Sequence, residues 1–213
     1  MRSYEQFCGL AKALDTVGDR WTLLIVRELL TCGPSRYSDL QRGLPGIATN
    51  LLADRLRSLE DAGVVLREEP APPMATALFA LSEWGEQLRP IIMALGSWAR
   101  PLMAKPARGD RFLSHWLALP LETFVTDLAP KRKPIRIELR TGDRPMILET
   151  TGAAVRVHSG SAEHPDAVLT GSPELIIGLL VRRIDLATAR RRGLRFEGNV
   201  NVLRRVGPAR EPS

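Results

Sequence analysis

Residues 34–63 read PSRYSDLQRGLPGIATNLLADRLRSLEDAG, and the periodicity of this stretch decides the fold. With Leu52 at zero on a wheel of about 100° per residue, Leu56 falls at about 40° and Leu59 at about 340°, forming one apolar seam. Asn50, Asp54, Arg57 and Asp61 fall between about 140° and 200°, and Ala53 at about 100°, on the wetted side. Upstream, residues 37–42 predict a short helix, and Gly43-Leu44-Pro45-Gly46 breaks the chain. Ala48 or Thr49 stands at the N-cap position of the second helix, which should run over 49–62.

Two helices joined by a glycine-containing turn, the second longer and amphipathic, match the helix-turn-helix unit, whose second helix enters a major groove. A small helical hairpin packed on a core has the same spacing, so the flanking sequence must decide. Residues 8–14 and 21–30 predict two helices that buttress the unit, with Asp19 as a cap for the second. Gly63 ends the long helix, residues 64–68 and 77–81 read as strands, and Pro70-Ala71-Pro72-Pro73 separates them. Helices followed at once by a hairpin make a winged helix. A further helical segment begins near Ser82, with Leu88, Ile91, Ile92, Leu95, Trp98 and Leu102 three or four apart. Pro90 should kink it or limit its first turn. So long an apolar stripe needs a partner, and a symmetric homodimer supplies one, since two-fold operators are read by two-fold proteins.

Composition sets the outer bounds. The 213 residues are 44% hydrophobic and 25% charged, which suits an α+β protein of two modest domains. The longest apolar run is far short of the roughly 20 residues that span a bilayer, so no membrane association is expected and a cytoplasmic location is. Cys8 and Cys32 with His115, His158 and His164 show no metal-ligand spacing, and neither metal nor cofactor is expected. The net charge is +6, yet residues 1–104 carry 11 Lys/Arg and 12 Asp/Glu while residues 105–213 carry 19 and 12. The basicity therefore lies outside the helix-turn-helix, and nucleic-acid binding must rest on the placement of a few side chains. No nucleophile–base pair and no Gly-rich phosphate loop is evident, so no enzyme is expected.

CGLAKALDTVGDRWTLLIVRELL, RYSDLQRGLPGIATNLLADRLRSLEDAGVV and LFALSEWGEQLRPIIMALGSW together resemble the HxlR family of winged-helix transcriptional regulators over roughly residues 4–104. The resemblance implies a homodimeric regulator that binds double-stranded DNA. Two departures stand out. Ala48 occupies a position where the family often has a capping Ser, leaving Thr49 to cap, and the wing tip 69–76 contains no Lys or Arg. On the residues themselves, Asn50 can pair with adenine and Arg57 with guanine or phosphate, and Thr49 and Ala53 are counted with them as DNA-binding candidates. Arg36, Tyr37, Ser38 and Arg67 would fix register on the backbone. Asp54 can accept from a cytosine amino group, but its expected task is to orient Arg57 or Arg55. Cys8 aligns with a cysteine that some family members use as a redox sensor; only Lys12 is an obvious cationic neighbour, so a buried structural thiol is the expectation here, with a redox switch as the alternative.

Residues 104–110 are polar and Pro/Gly-bearing, as at a domain boundary, which assigns 1–104 to the winged helix and 110–206 to a second domain. There, 112–128 predicts a helix or two around Pro120; strands follow at 135–140, near 146–150 and 154–158, as an antiparallel meander, with a fourth at 167–170. Ser172-Pro173 opens a helix carrying Leu175, Ile176, Leu179, Leu180 and Ile184 on one side. A short helix 185–192, a strand 194–198 and a helical 201–206 close the domain. LTGSPELIIGLLVRRIDLATARRRGLRFEGNVNVLRRV resembles the sterol carrier protein type 2 fold. That implies a mostly antiparallel sheet and an apolar tunnel for a hydrophobic small molecule, lined by Ile137, Leu139, Val155, Val157, Leu169, Ile176, Leu180 and Phe196. A filled core needs the same residues, and a lipid or acyl carrier with a vestigial helix-turn-helix is the alternative from another functional class.

Overall fold

A Thr22–Cys32 helix with Ile25, Val26, Leu29 and Leu30 buried is the centre of the first of two compact units. In the computed structural model, which describes residues 3–68, 76–104 and 107–209, the units are Met1–Pro106 and Ala107–Ser213. The first unit begins with α1 (Gly9–Val17), followed by α2 (Thr22–Cys32), β1 (Ser35–Arg36), α3 (Tyr37–Gly43) and α4 (Thr49–Asp61). β2 (Val65–Glu68) and β3 (Leu78–Leu81) form the hairpin, then α5 (Glu83–Glu86), α6 (Arg89–Trp98) and a 3-10 turn at Arg100–Ala104 follow. The sheet order is β1-β3-β2, all antiparallel, with Ser35 opposite Phe79 and Val65 opposite Leu81. β1 is two residues long, too short to leave a period in the sequence. The proline-rich wing tip lies in residues 69–75, outside the described residues.

Three sequence expectations need correcting in this unit. α1 does not buttress α3 and α4 along its length: Ala11 alone of its residues is buried, and Leu10 and Leu14 are exposed. Asp19 is not the N-cap of α2, which is Trp21; it accepts the Trp21 N–H at 3.3 Å instead. The helix expected from Ser82 onward is broken at Gln87-Leu88, because Pro90 in the first turn of α6 has no N–H to continue a preceding helix. Ser82 caps α5, its hydroxyl accepting the Gly85 N–H and donating to the Gly63 carbonyl. Gly85 has no room for a side chain, since a Cβ there would lie 2.2 Å from the Val64 oxygen.

The second unit carries a 3-10 turn at Ser114–Leu117, α7 (Ala118–Phe124), β4 (Val125–Asp127), β5 (Arg136–Thr141), β6 (Arg144–Thr151) and β7 (Ala154–Ser159). β8 (Ala167–Thr170), α8 (Pro173–Leu180), α9 (Leu186–Arg191), β9 (Arg195–Gly198), α10 (Val202–Arg205) and β10 (Val206–Pro208) complete it. The main sheet has the order β7-β6-β5-β8-β9. β5, β6 and β7 form the expected antiparallel meander, but β8 joins β5 in parallel, Ile137 opposite Ala167, and β9 returns antiparallel. The helical span expected from 112 to 128 is shorter, and the helix closing the chain ends at Arg205, because β4 and β10 pair as a separate two-stranded sheet. Three-residue strands are too short to show alternation. α8 stops at Leu180, so Ile184 belongs to the following turn, where Arg182 adopts φ 58°.

Side chains from the inner face of this sheet, including Ile137, Leu139, Leu148 and Leu169, share one cluster with Leu117, Leu121, Ile176 and Leu180. Each such fully buried aliphatic side chain contributes roughly 1.5–3 kcal/mol. At the rim, Arg205 pairs with buried Asp127 and also donates to the carbonyls of Lys133 and Ala129. α9 is capped by Asp185, which accepts the Thr188 N–H at 2.7 Å; that donor lowers the Asp185 pKa.

Candidate nucleic-acid interface

The placement of α4 follows from its seam: Leu52, Leu56 and Leu59 are 0%, 2% and 1% exposed, and Leu40 of α3 and Leu44 and Ile47 of the turn are buried as well. Gly46, at φ +94°, makes the turn where a side-chain-bearing residue would be strained. Two bonds clamp the start of α4 to α3. The Tyr37 hydroxyl donates to the Thr49 carbonyl oxygen at 2.5 Å, and Gln41 Nε2 donates to Thr49 Oγ1 at 2.8 Å. Thr49 is therefore not the cap. Ala48 is the N-cap residue and supplies no side-chain bond, and the Thr49 hydroxyl is the acceptor in a link between helices. Sequence periodicity missed Gln41 because a single polar residue on a short helix carries no pattern.

With the seam fixed, Asn50, Asp54, Arg57 and Asp61 are exposed together, while Ala53 is half-buried. Arg57 Nη1 lies 3.3 Å from Asp54 Oδ1, both side chains being well exposed. Asp54 thus faces Arg57 and not Arg55, whose Nε lies 3.3 Å from Asp19 Oδ1 in the turn before α2. Such exposed pairs contribute little stability, typically about 0–1 kcal/mol, so the effect of Asp54 is directional. Arg36 and Ser38 are exposed at the start of α3, and Arg67 is exposed on β2. Tyr37 is half-buried with its hydroxyl engaged by Thr49. A concavity of about 390 Å³ between α4 and the hairpin brings together Tyr37, Ala53, Arg57, Glu60, Arg67 and Thr76. Two guanidinium groups thus flank one groove beside the exposed face of α4.

The remaining expected residues fall in two other places. On and around α6, none of whose residues is buried, Ile91, Leu95, Trp98 and Leu102 are exposed and Leu88 and Ile92 half-buried. Trp98 and Leu102 reach 76% and 73% exposure. In the second unit, Ile137, Leu139, Val155, Val157, Leu169, Ile176 and Leu180 are all buried in the one cluster, and Phe196 packs against it half-buried beneath the Arg190 guanidinium.

Cys8 corrects a further expectation: it is exposed, not buried, and is the N-cap residue of α1. The backbone N–H groups of Ala11 and then Leu10 lower its thiol pKa below the ordinary value. Helix N-termini favour the thiolate in this way, and the sequence showed only Lys12 because the donors are backbone groups.

Residues 16–106 match the family model described as HxlR-like helix-turn-helix, and residues 126–209 match the SCP-2 sterol transfer family. The chain is 35% identical over 99 residues to the HTH-type transcriptional regulator YvaP of Bacillus subtilis, covering 46% of this chain and 91% of that protein. It is 34% identical over 93 residues to the regulator YkvN of the same organism, covering 43% and 76%. The reduced form of the transcriptional regulator YodB from B. subtilis superimposes with a TM-score of 0.41 at 27% identity, covering 49% of this chain and all of that one. No helix among the described residues is long and apolar enough to cross a membrane.

Proposed function

Because the chain belongs to the HxlR-like helix-turn-helix family and carries an SCP-2 sterol transfer family domain later in its sequence, we propose that it is a one-component regulator binding operator DNA as a homodimer. The observation that carries this reading is the exposed set Asn50, Asp54 and Arg57 on a helix whose other side is anchored by Leu52, Leu56 and Leu59. In this reading α4 lies in the major groove, Asn50 reads adenine, and Arg57, steered by Asp54, reads guanine. Ala53 and Thr49 approach the same base edges. Arg36, Ser38 and Arg67 contact phosphates, and Tyr37 acts by holding α4 in register. The exposed residues of α6 and the adjoining Leu102 form the dimer contact, as their unburied apolar surface supports. The regulator acts in the cytoplasm, and no enzymatic role is proposed.

The test is a gel-shift titration against the DNA upstream of its own gene, at two salt concentrations, for wild type and Arg57→Ala. A base contact should lose about 1–3 kcal/mol on that substitution. Equal binding by wild type and variant, with no preference over unrelated duplex, overturns the reading.

The second domain is proposed to sense an apolar small molecule. The family match supports this, as does the concentration of aliphatic side chains between α8 and the sheet. Titration with the neutral apolar dye N-phenyl-1-naphthylamine checks it: fluorescence enhancement that Leu139→Glu removes is expected, and an absence of enhancement counts against it.

A further inference from the structure

A cleft of about 570 Å³ opens on the second unit around the end of β5 and the β5–β6 turn, lined among others by Glu138, Arg140, Asp143, Arg144, Ser161 and Thr170. Its size is within the roughly 300–1,000 Å³ typical of small-molecule sites. It is not the apolar interior. Ile137 and Leu139 point from β5 into the core, and Glu138 and Arg140, alternating with them, belong to the other face of the sheet.

The hydrogen bonding of this cleft is unbalanced in one direction. Glu138 is 2% exposed, and its two oxygens are both engaged, Oε1 by Arg140 Nε at 2.7 Å and Oε2 by the Ala162 N–H at 2.9 Å. Asp143 is likewise satisfied, Oδ1 by the Ser114 N–H at 2.9 Å and Oδ2 by Arg144 Nε at 3.0 Å. All four carboxylate oxygens are therefore occupied. Each arginine uses only Nε in these bonds, and its two terminal nitrogens meet no acceptor among the described residues. Both side chains are about half exposed, at 52% and 49%. The acids thus anchor two guanidinium groups through Nε, and Arg140, Arg144, Ser161 and Thr170 all belong to the lining of one concavity. A cleft whose guanidinium groups keep further N–H donors while each carboxylate oxygen already has a hydrogen-bond donor is matched by an oxyanion, which a guanidinium binds in a forked, charge-assisted geometry.

We propose that the Arg140–Arg144 cleft binds the carboxylate or phosphate head of a small organic acid. This site lies on the second unit and outside its apolar interior, and it stands or falls independently of the DNA-binding reading.

Isothermal titration calorimetry of the full chain at low ionic strength tests it with sodium benzoate, neutral benzamide and inorganic phosphate as probes. Benzoate is expected to bind at one site per chain and benzamide at least about ten-fold more weakly, as befits loss of a charge-assisted bond. Arg144→Gln should weaken benzoate by about the same factor, whereas Arg190→Gln, outside the cleft, should leave it unchanged. Arg140→Lys, which keeps the charge but loses the fork, should also weaken it; because Arg140 holds a buried carboxylate, Arg144→Gln decides the matter if Arg140 variants fail to fold. Phosphate binding with the same arginine dependence, in place of benzoate binding, supports the site and assigns it to phosphorylated ligands. Saturable binding of neither anion, equal affinity for benzamide, insensitivity to Arg144→Gln, or an equal loss in Arg190→Gln overturns the proposal.

Discussion

The Tyr37 hydroxyl donates to the carbonyl oxygen of Thr49 at 2.5 Å, tying the first turn of α3 to the first residue of α4. Gln41 adds a second tie to the same residue through its hydroxyl. A helix anchored only by an apolar seam can still roll about its axis, and these two bonds fix that roll. Tyr37→Phe should therefore lower the stability of the first unit by only about 0.5–1.5 kcal/mol, measured by urea denaturation. The same substitution should weaken specific DNA more than nonspecific DNA in a gel shift, because base contacts depend on orientation while the phosphate attraction does not.

Asp54 and Arg57 separate two kinds of contact. Arg57→Ala should relax preference at one base position, whereas Arg36→Ala should weaken all sequences alike and reduce the salt slope of binding by about one. Asp54→Asn leaves Arg57 charged but unsteered, so it should raise nonspecific affinity and lower the ratio of specific to nonspecific binding. Filter binding across a salt series reads both quantities.

Asp127 and Arg205 form the opposite case from the exposed pairs, since both side chains are largely buried, 2% and 12% exposed, and further hydrogen bonds satisfy them. Removing one partner strands a buried charge. Asp127→Ala should destabilise the second unit by about 3–5 kcal/mol, whereas Asp39→Ala, which breaks the exposed Asp39–Arg42 pair, should change stability by less than about 1 kcal/mol. Thermal unfolding of the two variants makes the comparison.

Asp143 gives the second unit an acid limb. Desolvation works to raise its pKa, but hydrogen bonds from the Ser114 N–H and from Arg144 outweigh it and bring the value from 3.8 to about 2. A folded-state pKa below the unfolded one means stability that is complete above the unfolded value. It is lost as pH falls through the window down to about 2. Asp143→Asn should therefore flatten the stability profile of the second unit across that window in urea titrations at stepped pH.

Cys8 should be the faster of the two thiols in its reaction with iodoacetamide at neutral pH. Cys32 is exposed as well, so the difference comes from the position of Cys8 at the start of α1, where backbone N–H groups lower its pKa. Mass-spectrometric labelling with Cys8→Ser as the control checks this; equal rates at Cys8 and Cys32 would count against it.

The sequence by itself determined the elements whose physics is local and repeated. The Leu52–Leu56–Leu59 seam, the break at Gly43 to Gly46, the alternation along 135–140 and the Ser172-Pro173 helix start each repeat a preference over several residues, so the winged helix and the sterol-carrier-like meander were legible in them. Tertiary structure alone decided what depended on single long-range partners. β1, β4 and β10 exist only because other strands pair with them. Gln41 reaches the Thr49 hydroxyl from another helix, and Asp19 in the turn before α2 pairs with Arg55. The exposure of Cys8 goes with an α1 that buries only Ala11, and the cleft at Arg140 and Arg144 depends on the carboxylates of Glu138 and Asp143. The strand pairings among these relationships join residues as far apart as Ser35 and Phe79 or Asp127 and Val206 and leave no period in the chain, so only the folded arrangement expresses them.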